Sequence, residues 1–223
     1  MIFQLLILPL PWILRRRLLC WRYGYKIDPT ARIGRSIILA EALVMKANSR
    51  IGNFTFCKRI DKLELNERGS IGAFNFITGF TTLCDSSFKH FAHVADRHCE
   101  LIVGRHSAIT SRHFFDCNGG IYIGDFATVA GIRSQFLTHS IDIYKCRQDA
   151  MPIRVGDYCF VGTSVLMLPG SELPAYSILA GGSVVTKALS DSNVVYAGIP
   201  AKMVKELNQS DVAYFKREVG FVV

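Results

Sequence analysis

A six-residue spacing of apolar residues constrains the fold of this chain more than any other feature of its sequence. From Val155 onward, the series keeps an apolar residue at every step: Val155, Val161, Met167, Leu173, Leu179 and Val185. The same step leads upstream from Ile33 to Ile51 over eighteen residues. An amphipathic helix repeats every 3.6 residues and a strand alternates every two, so neither explains a period of six.

A triangular coil explains the period. Each side is a short strand, each corner is a tight turn, and three sides together take eighteen residues. The aliphatic residue points inward, and glycine or another small residue serves where the turn needs unusual backbone angles. Successive coils stack through parallel ladders and bury one continuous apolar column. The spacing therefore predicts an all-β fold, a parallel β-helix, although periodicity alone does not give its hand.

The repeat is interrupted at three places, residues 57–68, 84–99 and 136–152. Extra residues in a solenoid emerge as loops, and loops often carry function. After Ala201 the pattern stops, and residues 204–219 read as a short helix. We therefore divide the chain into an apolar and basic segment (1–29), a β-helix domain (30–203) and a C-terminal capping helix with its tail (204–223).

The net charge of +8 belongs to the N-terminus, because residues 1–60 hold eleven Lys or Arg against two acids. The remaining residues are nearly neutral, which argues against a nucleic-acid-binding protein. The apolar run from Ile2 to Leu14 is too short to span a membrane, which takes about 20 residues. Its arginines follow the run, whereas a signal peptide places its charges first. We expect residues 1–26 to contact an anionic membrane or to cap the open end of the domain, and both can hold at once.

The seven cysteines are odd in number and include no CxxC pair. This pattern argues against a disulfide framework and against a structural zinc site made of four cysteines. Buried thiols in a reducing compartment fit better. We expect a cytoplasmic protein that is peripheral at the cytoplasmic face of the inner membrane.

The C-terminal half carries a family resemblance. The stretch MPIRVGDYCFVGTSVLMLPGSELPAYSILAGGSVVTK, followed by YAGIPAKMVKEL, resembles the hexapeptide-repeat acyltransferases. It is most similar to galactoside and maltose acetyltransferases and to O-acetyltransferases of surface polysaccharides. The resemblance covers roughly residues 100–207, and residues 30–99 only by repeat. It implies a left-handed parallel β-helix and a homotrimer whose active sites lie between subunits.

The resemblance also implies a reaction. Acetyl would move from acetyl-CoA, a co-substrate, to a sugar or glycan hydroxyl in cell-envelope polysaccharide synthesis, and no metal is required. His139, in the loop FLTHSID, matches the general base of the family. Five further positions match residues that hold the donor: Thr163, Gly181, Thr186, Lys187 and Lys202.

Several finer assignments rest on position alone. Asp142 or a backbone carbonyl is a candidate to fix the tautomer of His139, and the N–H of Gly162 or Thr163 is a candidate oxyanion donor. Arg112 and His113 are candidates for the acceptor cleft.

The alternatives are a zinc site and a protein without catalytic activity. The histidines at 90, 93 and 98 with Cys99 permit a zinc site. Carbonic anhydrases of this fold, however, place histidines around a turn that here reads VGTSV. The alternative to an enzyme is a β-helix scaffold at the membrane surface. The sequence leaves open the acceptor, O- against N-acylation and the length of the acyl chain.

Overall fold

The chain forms a left-handed parallel β-helix, as the repeat and the resemblance predict. The structure is a computed structural model that describes residues 1–83 and 89–220. The first five residues of the predicted interruption at 84–99, and the last three of the C-terminal tail, lie outside the described residues.

Two helices precede the strands, α1 (Ile2–Ile7) and α2 (Trp12–Tyr23). The strands are short and follow one another in chain order: β1 (Lys26–Ile27), β2 (Arg32–Ile33), β3 (Ile37–Leu39), β4 (Ala42–Met45), β5 (Arg50–Ile51), β6 (Phe56–Lys58), β7 (Lys62–Leu65), β8 (Ser70–Ile71), β9 (Phe76–Thr78), β10 (Glu100–Val103), β11 (Ala108–Ile109), β12 (Phe114–Asp116), β13 (Ile121–Ile123), β14 (Thr128–Val129), β15 (Gln135–Leu137), β16 (His139–Asp142), β17 (Arg147–Ala150), β18 (Ile153–Val155), β19 (Phe160–Val161), β20 (Leu166–Met167), β21 (Glu172–Leu173), β22 (Ile178–Leu179), β23 (Val184–Val185), β24 (Val194–Ala197) and β25 (Lys202–Glu206).

Three parallel sheets form the sides of the triangle. The first sheet has the order β1-β4-β7-β10-β13-β18-β21, the second runs β2-β5-β8-β11-β14-β19-β22-β24-β25, and the third runs β3-β6-β9-β12-β15-β20-β23. Among the described strands of these three sheets, β25 alone pairs antiparallel, whereas β16 and β17 form a separate antiparallel pair. We call the turn from the second to the third sheet the second corner, and the turn from the third sheet to the next first-sheet strand the third corner.

The six-residue repeat fills the core. One inward column on the second sheet aligns residues of successive coils: Ile33, Ile51, Ile71, Ile109, Val129, Val161, Leu179 and Tyr196. All of them are buried. The coils stack so closely that a Cβ added at Gly156 would lie 2.5 Å from the backbone nitrogen of Ala175 on the next coil. Such close packing explains the glycine that follows an aliphatic residue.

The predicted interruption at residues 57–68 is wrong, because these residues wind as an ordinary coil through β6 and β7. Cys57 and Leu63 take the inward positions and are fully buried. Cysteine packs here as a small apolar residue, which a search for aliphatic side chains passes over. The segments between β9 and β10 and between β15 and β18 do leave the coil, and both leave at the third corner.

The N-terminal helices close the open end of the β-helix. The side-chain amide of Gln4 donates to the carbonyl of Ile38 at 2.5 Å and accepts from its N–H at 2.9 Å. The indole of Trp12 donates to the carbonyl of Ala31 at 2.9 Å, and the guanidinium of Arg15 donates to that of Gly34 at 2.7 Å. The capping hypothesis is therefore confirmed. Among the described residues, no helix is both long and apolar enough to cross a bilayer.

The C-terminal segment differs from the helix predicted over residues 204–219. Lys202–Glu206 forms β25, and two short 3-10 helices follow, Gln209–Asp211 and Ala213–Lys216. The edge of β24 offers unpaired backbone N–H and C=O groups. A strand that pairs with this edge satisfies those groups, whereas a separate helix would leave them unpaired. The tail then runs back along the coils, where the N–H of Gly220 donates to Nδ1 of His106 at 3.2 Å.

Candidate active site

His139 lies at the base of a hairpin that leaves the third corner. The hairpin pairs β16 with β17 antiparallel, His139 opposite Ala150. Thr138, directly before it, is buried; its hydroxyl donates to the carbonyl of Asp116 at 2.6 Å and accepts from the N–H of Gly119 at 2.8 Å. These bonds tie the root of the hairpin to the preceding coil, which fixes the position of the histidine.

Asp116 is the partner of His139. Its Oδ2 forms a close hydrogen bond with Nδ1 of the imidazole and accepts from the His139 N–H at 3.3 Å. The aspartate is 2% exposed, whereas the side chain of His139 is 37% exposed. The hydrogen bond to Asp116 raises the pKa of His139, against the opposing effect of partial burial. A proton held on Nδ1 leaves Nε2 as the basic nitrogen.

The surroundings of this pair are also fixed by hydrogen bonds. The second oxygen of Asp116 accepts from the side-chain amide of Asn118. The Oδ1 of Asn118 in turn accepts from the N–H of Phe80 at 2.7 Å. Arg97 donates to the carbonyls of Phe80 and Asn118 at 2.7 and 3.1 Å. The insertion after β9 thus packs against the Asp116–His139 pair and holds its geometry.

A cavity of about 270 Å³ lies beside the pair, and we call it the His139 cavity. Its lining residues come from four neighbouring coils: Lys58, Arg59, Thr78, Gly79, Phe80, Phe114, Asp116, Asn118, Leu137 and His139. A basic imidazole nitrogen beside a cavity with apolar and polar walls can remove a proton from a bound hydroxyl.

Asp142 does not take the role considered for it. Its carboxylate accepts from the N–H groups of Tyr144 and Lys145 at 3.1 and 3.2 Å, at the turn of the hairpin. The assignment was therefore wrong, and Asp116 fixes the tautomer. Sequence reasoning missed Asp116 because it lies 23 residues before His139, and only the register of the coils brings them together.

The five donor positions lie away from the His139 cavity and line no part of it. Thr163 and Gly181 stack on adjacent coils at the second corner, where the N–H of Gly182 donates to the Thr163 carbonyl at 2.9 Å. Thr186 and Lys187 follow β23 and are exposed, as is Lys202.

Thr186 directly follows β23 of the third sheet, and His139 lies two residues after β15 of the same sheet. Phe136 aligns with Met167 and then with Val185, so Thr186 is two coils beyond Leu137, roughly 10 Å away. Within one chain, His139, Thr186 and Lys187 thus follow third-sheet strands at the third corner, whereas Thr163 and Gly181 lie at the second corner, at the other end of that sheet.

Two further assignments fail on geometry. The N–H of Gly162 already donates to the carbonyl of Leu179 at 2.8 Å, so it is not free to hold an oxyanion.

His113 is buried, and burial lowers its pKa to about 4. Its Nε2 hydrogen-bonds the hydroxyl of Thr110 at 2.9 Å, and the guanidinium of Arg112 lies over the ring of Phe74. Neither Arg112 nor His113 lines the His139 cavity.

The histidines of the insertion after β9 have other neighbours. Nε2 of His93 lies 4.0 Å from the carboxylate of Asp149 on the hairpin. Within residues 1–83 and 89–220, no three His, Cys, Asp or Glu side chains are arranged to hold a metal ion.

Comparison with known proteins gives local sequence similarity to acetyltransferases. The chain is 33% identical over 69 residues to galactoside O-acetyltransferase of Escherichia coli strain K12, covering 31% of this chain and 34% of that protein. It is 36% identical over 76 residues to an unconfirmed acetyltransferase of Saccharomyces cerevisiae, covering 33% of this chain and 38% of that protein. The chain thus spans about a third of the length of the curated relatives it matches. No protein-family model matches it.

Comparison with solved structures supports the fold over nearly the whole chain. A mutant of AntD, an N-acyltransferase from Bacillus cereus solved with dTDP and coenzyme A, superposes with a TM-score of 0.50. The match covers 87% of this chain and 90% of that one at 13% identity. The chain resembles the hexapeptide-repeat acyltransferases both in sequence and in its left-handed β-helix.

Proposed function

We propose that this protein is an acetyltransferase that moves acetyl from acetyl-CoA to a hydroxyl of a sugar or glycan. The observation that carries the proposal is the Asp116–His139 pair beside the His139 cavity. The local similarity to galactoside O-acetyltransferase supports the same reaction.

The chemistry follows from the free Nε2 of His139. A sugar hydroxyl is too weak an acid to ionise at neutral pH, so Nε2 takes its proton while the oxygen attacks the thioester carbonyl. Asp116 stabilises the imidazolium that forms. Collapse of the tetrahedral intermediate breaks the carbon–sulfur bond, and the imidazolium returns the proton to the sulfur of coenzyme A. The transfer is direct, since no cysteine is among the described residues that line the His139 cavity, and burial raises the pKa values of Cys57, Cys117 and Cys159.

For the donor, we infer that the phosphates of acetyl-CoA meet Lys187 and Lys202. Both side chains are exposed, and neither forms an ion pair within the part of the chain that the structure describes. Lysine binds phosphate as a point charge and needs no fixed geometry. Thr163, Gly181 and Thr186 would then face the pantetheine arm.

We also infer a homotrimer with shared sites. His139 lies at the third corner, whereas Thr163 and Gly181 lie at the second corner. A ring of three chains would set the third corner of one chain against the second corner of its neighbour. The base and the donor site would then meet between subunits.

The surface of the N-terminal helices supports contact with an anionic membrane. Large apolar side chains remain exposed there although the helices cap the coil: Ile2 (71%), Leu6 (73%), Ile13 (64%) and Trp21 (76%). Arg17, Arg22 and Lys26 are exposed beside them. Apolar groups with adjacent cations bind the interface of an anionic bilayer. Acetylation of cell-envelope glycans at the cytoplasmic face of the inner membrane is consistent with this surface.

The deciding experiment replaces His139 with alanine. Loss of a general base typically costs about 10²–10⁴-fold in rate. We expect His139→Ala to lower turnover of acetyl-CoA with a panel of sugars by at least about a hundredfold, with coenzyme A binding and assembly unchanged. A folded variant that keeps near-normal turnover would contradict the mechanism, and a wild type that transfers to no sugar would favour the scaffold.

A further inference from the structure

We propose that the acceptor carries an anionic group, a phosphate or a carboxylate, bound by Lys58 and Arg59. This inference rests on the proposed function, because it names the class of substrate that the His139 cavity accepts. Lys58 and Arg59 line the cavity together with His139, although they are 81 and 80 residues away in sequence.

The first argument is uncompensated positive charge. Within the described ranges neither Lys58 nor Arg59 forms an ion pair, whereas Lys62 pairs with Glu64 at 2.5 Å. The one acid in the wall, Asp116, is engaged by His139 and Asn118. The cavity therefore presents two cations that have no carboxylate partner among the described residues of its wall.

Asp61, two residues after Arg59 in the chain, is also engaged. The carboxylate of Asp61 accepts from the hydroxyls of Thr81 and Thr82 and from the N–H of Thr82 at 2.8 Å. It holds the start of the insertion after β9 rather than the cations.

The second argument is position. Lys58, Thr78 and Asp116 align in parallel register on three adjacent strands of the third sheet. Lys58 is therefore two strand spacings, roughly 10 Å, from the aspartate that holds the base. The anionic group and the reacting hydroxyl must then be separate parts of one acceptor, as in a charged sugar or a charged unit of a glycan.

The third argument is the apolar floor beneath the lysine. The ammonium of Lys58 lies 5.9 Å from the centre of the Phe56 ring and 5.6 Å from that of Phe76. Phe114, which lines the cavity, stacks on Phe76 with ring centres 5.5 Å apart. Low polarity around a half-buried cation strengthens its attraction to an anion. The aromatic column also offers an apolar face to a sugar ring.

The test measures binding and catalysis with matched sugars. Glucose, glucose 1-phosphate and glucuronate are titrated by calorimetry into protein saturated with coenzyme A, which occupies the donor phosphate site. We expect the wild type to bind at least one charged sugar at least about tenfold more tightly than glucose, since a hydrogen bond to a charged group is stronger than one between neutral groups. The variant Lys58→Gln/Arg59→Asn should lose this preference, because it removes both charges and keeps a residue that tolerates the positive φ of Arg59.

Lys62→Gln is the matched control, because it removes a lysine from the neighbouring sheet and should keep the preference. Equal affinity for charged and neutral sugars in the wild type overturns the inference, as does a double variant that keeps the preference. The two proposals fail separately. A charge preference without acetyl transfer contradicts the function alone, and transfer to charged and neutral sugars with equal kcat/KM contradicts the inference alone.

Discussion

The Asp116–His139 pair joins a buried carboxylate to an imidazole that is accessible from the cavity. Asp116 is buried in the wall of the coil, where it also accepts a hydrogen bond from Asn118. His139 reaches the cavity while Thr138 keeps its backbone in place. An imidazole whose orientation and tautomer are set before the substrate arrives loses little freedom in the transition state.

Replacing Asp116 with asparagine should reduce turnover and move its pH dependence. As the proposed base, His139 would act in its neutral form, and the hydrogen bond to Asp116 raises the pKa of the imidazole. In the wild type, turnover should therefore rise with pH through an inflection above the ordinary value for histidine. In Asp116→Asn only the lowering effect of burial remains, so the inflection should shift to lower pH. We expect turnover at the plateau to fall by roughly a hundredfold or more as the tautomer is lost.

The matched control is Asp142→Asn, which removes a carboxylate from the turn of the same hairpin. Its pH profile should match the wild type. An unchanged inflection in Asp116→Asn, or an equal shift in both variants, would contradict the role of Asp116. The readout is the pH dependence of kcat, which a merely destabilised protein would not shift.

The sequence predicted part of this site. His139 was found because it lies in a local motif, FLTHSID, at the edge of the repeat. Asp116 and Lys58 were not, because their place beside His139 depends on which coils are neighbours in the stack. The number of residues in each insertion sets that register, and the repeat alone does not define it.

At the scale of elements, the period of six predicted the coil and the inward column of the second sheet. It failed for residues 57–68, where the inward side chain is a cysteine. It also failed at the C-terminus, where a free strand edge recruited β25. In both places tertiary packing decided the structure, and the local pattern of aliphatic residues does not predict that packing.

The N-terminal helices bury both hydrogen-bonding and apolar side chains against the coil and leave other large apolar side chains exposed to solvent, so capping and membrane contact can be separated experimentally. We expect Leu6→Gln/Ile13→Gln/Trp21→Gln to abolish flotation with anionic liposomes, since these side chains are exposed and supply the apolar contact. The melting temperature should change little, because exposed substitutions usually cost within about 0.5 kcal/mol.

As a control, the wild type and the variant are also floated with neutral liposomes, which shows how much of the binding depends on the negative charge of the lipid. A variant that floats like the wild type would show that the helices serve only as a cap. Deleting residues 1–26 is a weaker test, because it also removes the hydrogen bonds of Gln4, Trp12 and Arg15 to the first coil.

At the scale of the whole molecule, the positions of the second and third corners bear on how copies of the chain assemble. One chain has His139 and its cavity at the third corner, whereas Thr163 and Gly181 of the proposed donor site lie at the second corner. The third sheet separates the two corners, so the proposed shared site would need a second copy of the chain. Three-fold cyclic symmetry satisfies this need at every interface and leaves no copy unpaired.

Mixed trimers test this arrangement directly. His139→Ala lacks the proposed base but keeps the donor corner. Thr163→Glu keeps the base but places a larger, charged side chain at the exposed corner, where the pantetheine arm would lie. Each variant alone should be nearly inactive. In trimers reassembled from an equal mixture, each shared site takes its base from one chain and its donor corner from the neighbouring chain. The site is intact when Thr163→Glu supplies the base and His139→Ala supplies the donor corner, so about a quarter of the sites should recover activity. If base and donor corner belonged to one chain, every site would carry a defect and no activity would return. A monomer by light scattering at micromolar concentration would contradict the shared site before any mixing is done.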